Sequence, residues 1–219
     1  MAEKIFLGEP EFLFAFSDIN QLQDWFAQNK GKEMKGMAFV GRSNVGKSSF
    51  INALFDTKIA KTSKTPGRTQ AVNIFRFFCG SRSSTKEKDR GAEVLFFDLP
   101  GYGFAEVSKE MSKNWGHLMT NFFSLLTPEV LILNIQDARR PNQEADKMFY
   151  SFISQVENEI ILVLNKSDKL KSQKEKHELN KEIEKLKTKL TFFSEVITVS
   201  SMNHTNIDPV KKILFNRFK

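Results

Sequence analysis

Only one cysteine, Cys79, occurs in 219 residues, so no disulfide can form within the chain. That scarcity suits a reducing compartment, and the apolar run around Cys79 makes it a packing residue and not a nucleophile. Long hydrophobic runs are missing as well. No stretch approaches the roughly 18 apolar residues that a membrane span needs. Met1 to Pro10 lacks the apolar core of a secretory leader, and neither end carries a lipidation motif. The expectation is a cytoplasmic protein. No Cys/His cluster has the spacing of zinc ligands, and no segment repeats.

What is present is a chain of one-domain length, 40% hydrophobic and 27% charged, which can bury a core and is not disordered in bulk. Thirty-three Lys and Arg stand against 26 Asp and Glu, a net charge of +7 that favours an acidic partner such as RNA, DNA or an anionic lipid surface.

Short, nearly continuous apolar runs recur at Met37 to Val40, Val94 to Phe97, Val130 to Leu133, Ile160 to Leu164 and Val196 to Val199. Runs of this length, apolar on both faces, suit parallel strands covered by helices. Val72 to Cys79 mixes Asn73 and Arg76 into its apolar residues and reads as an antiparallel edge strand. Between the runs, apolar residues recur at helical spacing: Met111 to Phe122, Met148 to Val156, Leu179 to Leu190 and Ile207 to Phe218. The alternation predicts an α/β fold, a mostly parallel central sheet with helices on both faces and one antiparallel edge strand. Residues 1–35 read as an N-terminal extension packed on a main domain of residues 36–219. In that extension the alternate Phe12, Phe14 and Phe16 suggest a strand with one face packed inward, and a short helix is expected around Leu22 to Gln28. Gly80 to Gly91, polar and charged, reads as a hairpin tip or loop.

Three motifs carry chemistry. Gly41-Arg42-Ser43-Asn44-Val45-Gly46-Lys47-Ser48 follows one apolar run and precedes a helix-compatible segment, which is the context of a phosphate-binding P-loop. Glycines let backbone N–H groups wrap a phosphate, the helix N-terminus adds partial positive charge, Lys47 would reach the β and γ phosphates and Ser48 would bind Mg²⁺. Asp98-Leu99-Pro100-Gly101 follows a second run. Asp98 would hold Mg²⁺ and the Gly101 N–H would bond the γ phosphate. Asn165-Lys166-Ser167-Asp168 follows a third. Asp168 can accept from the N1–H and 2-amino groups of guanine, a pair adenine does not offer, while Asn165 ties loops together and the Lys166 stem lies over the base. After the last core strand, Ser200-Ser201-Met202 offers the Ser201 backbone N–H to the guanine carbonyl. In the polar stretch Lys61 to Gln70 one threonine is expected to complete the Mg²⁺ shell, Thr69 with Thr65 in reserve.

Together these residues resemble the YihA/EngB/YsxC family of bacterial GTP-binding proteins. The carriers are Gly41 to Ser49, Thr62 to Gln70, Asp98 to Ala105 with Val107-Ser108-Lys109 and Trp115-Gly116, and Asp137-Ala138-Arg139-Arg140-Pro141. The resemblance implies a P-loop GTPase of the cytoplasm that acts in large ribosomal subunit assembly, and it carries an association with division septum formation. It also implies a nucleotide site made of Gly41 to Ser48, Gly67, Arg68, Thr69, Gln70 and Ala71, Asp98 to Gly101, Asn165 to Asp168, and Val199, Ser200 and Ser201, with Mg²⁺ at Ser48 and Thr69. Lys47, Thr69 and Gly101 would be the catalytic set. Two departures stand out: the Gly80 to Gly91 stretch is longer than the family pattern, and Asn206 replaces a glycine before the final helix, at a turn that Asn can also make.

Tyr102 stands where many regulatory G proteins have a water-orienting glutamine, so hydrolysis by the chain alone is expected to be slow, roughly 10⁻⁴ s⁻¹ or within a few decades of it. Asn44 raises the further expectation of a K⁺ ion serving as an arginine finger would. Eight lysines against four glutamates between Lys169 and Lys189, with Lys211, Lys212, Arg217 and Lys219 beyond, leave two readings open: a solvated helix face, or a contact with rRNA on the large subunit. Trp115 is expected to pack near the second motif, His117 to lie on the surface, and the protein to be monomeric. Three classes then compete. They are a ribosome-assembly GTPase, a nucleotide-gated ribosome-binding scaffold with negligible turnover, and a P-loop kinase or ATPase, against which Asn165 to Asp168 argues.

Overall fold

A computed structural model describes residues 5–30, 34–60, 71–81, 91–103 and 109–219. Its strands are β1 (Ile5–Leu7), β2 (Glu11–Phe16), β3 (Gly36–Gly41), β4 (Val72–Ser81), β5 (Ala92–Asp98), β6 (Val130–Asp137), β7 (Ile160–Asn165) and β8 (Phe193–Thr198). Its helices are α1 (Ile19–Gln28), α2 (Lys47–Phe55), α3 (Lys109–Leu125), α4 (Glu144–Ile153), α5 (Gln173–Lys189) and α6 (Ile207–Phe218).

All eight described strands join one sheet in the order β1-β4-β5-β3-β6-β7-β8, with β2 also on β4. The five strands β5-β3-β6-β7-β8 run parallel. Strands β3, β6 and β7 are buried along their whole length, as continuous apolar runs require. Side chains alternate between two layers. Met37, Phe39, Leu131, Leu133, Ile161 and Val163 pack with α2 and α6. Ala38, Val40, Val130, Ile132, Leu162 and Leu164 pack with α1, α3, α4 and α5.

β4 is antiparallel, as expected, but it is not outermost. β1 pairs its end (Leu7↔Cys79) and β2 its start (Phe16↔Val72), so residues 5–16 form the margin of the sheet. Asn73 and Arg76 therefore mark a strand with partners on both sides; Arg76 is ion-paired with Glu11 at 2.6 Å across one of them. The expected inward Phe row is also reversed in part. Phe12 and Phe14 are 54% and 46% exposed, and the register shifts between them, while Leu13 turns to the core. Met148, placed inside by its spacing, is exposed, and Val156 lies past the end of α4. Cys79 is buried, and Asn206 caps α6 in a left-handed conformation (φ 56°). Segment 82–90, most of the expected hairpin tip, lies outside the described residues.

Candidate functional site

The parallel strands end their C-terminal edges together, and the three motifs sit on those edges: Gly41 to Ser48 between β3 and α2, Asp98 to Gly101 after β5, and Asn165 to Asp168 after β7. Switching order at β3, which lies between β5 and β6, opens a crevice there.

The first loop is shaped by close backbone approaches. A Cβ on Gly41 would stand 2.3 Å from the Ile135 carbonyl oxygen. Gly46 is left-handed (φ 91°), and a Cβ there would meet Asn165 Nδ2 at 2.6 Å. No side chain caps α2, so the N–H groups of its first turn stay open toward the crevice, a cradle that fits an anion. Lys47 and Asp98, both largely buried, form an ion pair directly across the crevice. A buried ammonium beside a buried carboxylate suits a phosphate and a divalent cation, one charge for each. Ser48 is half-buried on the first turn of α2, and the Cβ position of Gly101 lies 2.9 Å from Ser43 Oγ.

The third motif is tied to the first. Asn165, buried, donates from Nδ2 to the carbonyls of Val45 and Gly46, each at 3.2 Å. Its Oδ1 accepts from the Ser201 N–H at 3.1 Å and hydroxyl at 2.8 Å. The Ser201 N–H, expected to face a ligand carbonyl, is thus engaged by Asn165. Lys166 donates to the Asn44 carbonyl and pairs with Asp137 at 3.2 Å. Ser200 Oγ donates to Asp168 Oδ1 at 2.7 Å, and the Ser167 N–H reaches the Val199 carbonyl. Burial pushes the Asp168 carboxyl up, but the Ser200 bond and the Lys169 ammonium outweigh it and hold its pKa below the ordinary value. Asp168 is therefore an ionised, acceptor-only group at neutral pH.

The expected Gly67, Arg68, Thr69 and Gln70, and the reserve Thr65, lie outside the described residues; Ala71 is partly buried at the entry to β4. The Asp137-to-Pro141 element, to which no role is given from the sequence, also reaches the site. Asp137 receives the Arg139 side chain as a two-pronged fork (3.0 and 2.7 Å) beside Lys166. Burial raises its pKa, but the Arg139 hydrogen bonds and the Lys166 charge win, leaving it below the ordinary value. Trp115 Nε1 donates to the Pro100 carbonyl at 3.3 Å, the expected packing contact, and His117 is exposed. Buried Asp146 takes Arg42 and Tyr102.

A family described as "50S ribosome-binding GTPase" matches residues 36–166, more than half of the chain. The chain is 34% identical over 196 residues to "Probable GTP-binding protein EngB" of Campylobacter jejuni (strain RM1221), covering 88% of this chain and 90% of that one. The EngB protein of Mycoplasmopsis pulmonis (strain UAB CTIP) is 35% identical over 90% and 94% of the two chains. The chain belongs to the EngB family. Among solved structures, that of Era in complex with MgGDPNP and nucleotides 1506-1542 of 16S ribosomal RNA overlays this EngB-family chain with a TM-score of 0.64 and 26% identity. It covers 85% of this chain, and the chain spans 58% of the Era chain, so the shared part is the P-loop GTPase fold. The long described sheet margin from residues 5–16 and the Asp146 cluster are features that the EngB motifs alone do not announce.

Proposed function

We propose that the protein binds GTP and GDP and slowly hydrolyses GTP with Mg²⁺, as a cytoplasmic factor in the assembly of the large ribosomal subunit. The observation that carries this reading is Asn165, which fastens the phosphate loop to the loops bearing Asp168 and Ser201 and would so join a triphosphate cradle to a guanine acceptor. Asp168, ionised and braced by Ser200, would accept the paired donors of guanine, with the Lys166 stem above the base. The residues Gly41 to Ser48 would hold the phosphates, with Gly67 to Ala71, Leu99 and Pro100, and Val199 to Ser201 around them. Ser48, Asp98 and Thr69 would hold the Mg²⁺. When bound, that ion neutralises charge on the phosphate oxygens. Lys47, freed from Asp98 by an arriving phosphate, would stabilise charge on the β–γ bridge, Thr69 would complete the Mg²⁺ shell when GTP is bound, and the Gly101 N–H would bond the γ phosphate.

Tyr102 supports a slow rate. It is 4% exposed, and its hydroxyl is committed to Asp146, so no carboxamide or free hydroxyl orients water there. The same observation favours the second reading, a nucleotide-gated ribosome-binding scaffold with negligible turnover. The Era relative was solved with a piece of ribosomal RNA, and the family description names the 50S particle; with the charge of +7 these support rRNA as the partner. A link to division septum formation would follow from failing protein synthesis. The test is GTP turnover by the purified protein with and without large ribosomal subunits, in K⁺ and in Na⁺. Stimulation by subunits supports the GTPase; tight GTP and GDP binding with no stimulated turnover supports the scaffold; preference for ATP sinks both. Equal rates in the two salts would remove the proposed K⁺ role at Asn44.

A further inference from the structure

The backbone of Tyr102 is stitched to the phosphate loop. Its N–H donates to the Gly41 carbonyl at 3.3 Å, its carbonyl accepts from the Ser43 N–H at 3.0 Å, and Arg42 and Tyr102 pair as a short parallel bridge. The Tyr102 side chain leaves this seam for the helix layer, where its ring stacks on Phe149 (centroids 4.6 Å apart, planes at 11°). There its hydroxyl donates to Asp146 Oδ1 at 2.8 Å. Asp146 is wholly buried. It also takes Arg42 Nε at 2.9 Å and the Gln143 N–H at 2.8 Å, and Arg42 gives a further nitrogen to the Arg140 carbonyl at 2.9 Å. One carboxylate at the start of α4 thus grips both partners of the bridge, one from the phosphate loop and one from the residue after Gly101.

We propose that Asp146 is a positioning residue that, through the Tyr102 hydroxyl and the Arg42 guanidinium, fixes Gly101 against the phosphate loop and so sets how tightly GTP is held relative to GDP. The inference rests on the GTP reading above. A buried carboxylate stripped of these donors would be strongly unfavourable, so the three bonds stay made and aligned. A Cβ on Gly101 would stand 3.2 Å from the Ser43 nitrogen and 3.3 Å from the Gly41 carbonyl oxygen, so its backbone lies close against the phosphate loop, and it is one peptide from Tyr102. Only a third phosphate calls on the Gly101 N–H. Loosening Tyr102 therefore weakens the triphosphate and spares the diphosphate.

The test uses the full chain and the variants Tyr102→Phe, Asp146→Asn and the double variant. Each is titrated with fluorescently labelled GDP and with a labelled non-hydrolysable GTP analogue, and its melting temperature is recorded. Tyr102→Phe is expected to lower the ratio of analogue to GDP affinity about threefold or more, the scale of one lost hydrogen bond. Asp146→Asn should move the ratio the same way, and the double variant little further than the larger single change, since the Tyr102 hydroxyl acts on the loop only through its bond to Asp146. If Asp146→Asn does not fold, Tyr102→Phe, which removes one oxygen from a stacked ring, decides alone. Equal weakening of both nucleotides, or an unchanged ratio in a folded variant, overturns the proposal while leaving GTP binding intact. A wild-type chain that binds neither nucleotide removes the GTP reading and this inference together.

Discussion

At the residue scale, Gly46 and Cys79 are constrained for different reasons. Gly46 combines a left-handed backbone with a Cβ position 2.6 Å from Asn165. Gly46→Ala is expected to destabilise the fold by about 1–3 kcal/mol and to reduce nucleotide affinity at least about tenfold, because the side chain that fastens the two loops must move. Thermal melting and a labelled-GDP titration would check both; unchanged affinity would break the link between the loops. Burial pushes the Cys79 thiol up to about 11. Its thiolate fraction at pH 8 is then on the order of one in a thousand, and no surface leads to it. A disulfide reagent should leave the native protein unmodified over hours at pH 8 and label it at once in denaturant; prompt labelling of the native chain would refute this packing. The glycine- and asparagine-bearing loops were legible in the sequence because each motif is contiguous and follows a strand-like run. Asp146 was not, since its partner Arg42 lies 104 residues away and the only local sign was the helix-start pattern with Gln143.

At the element scale, the buried parallel strands announced themselves, since β3, β6 and β7 must be apolar on both faces. The margin of the sheet did not. Polar residues in β4 read as an edge because the strands that cover it, β1 and β2, come from far upstream, and three alternating phenylalanines do not say which face is wet. α1 completes this margin: its capping Asp18 accepts from the N–H groups of Asn20 and Gln21, and Leu22 and Phe26 enter the core beside Phe97 and Phe122. Phe26→Ala should cost about 3–5 kcal/mol of unfolding free energy in a urea titration. GDP affinity should stay nearly unchanged in the folded protein, because the packing of α1 runs to β2, α3 and Phe97. A loss below about 1 kcal/mol would mean that residues 19–28 are dispensable to the core.

At the scale of the molecule, the charge excess was readable from composition but its placement was not. α5 pairs three of its six lysines with its own glutamates, Lys174 with Glu178, Lys185 with Glu182 and Lys187 with Glu184. Such exposed pairs contribute little to stability and leave the helix less bare of counter-charge than a count of lysines implies. The proposed binding to large ribosomal subunits should therefore still weaken with salt, by about tenfold or more between 50 and 200 mM, since the net charge remains +7. Affinity indifferent to salt in a sedimentation assay would point to apolar contacts instead. No described helix is long and apolar enough to cross a membrane.

The pairing of Leu7 with Cys79 has a consequence for the newborn chain. During synthesis the first two strands emerge early but have nothing to zip onto until β4 has left the ribosome tunnel, some seventy residues later. Through that interval Leu13 and Phe16, which the fold packs against its core, stand bare in the nascent polypeptide beside Phe12 and Phe14, an invitation to chaperones or to neighbouring chains. Residues 5–16 thus wait for a partner strand that is made well after them.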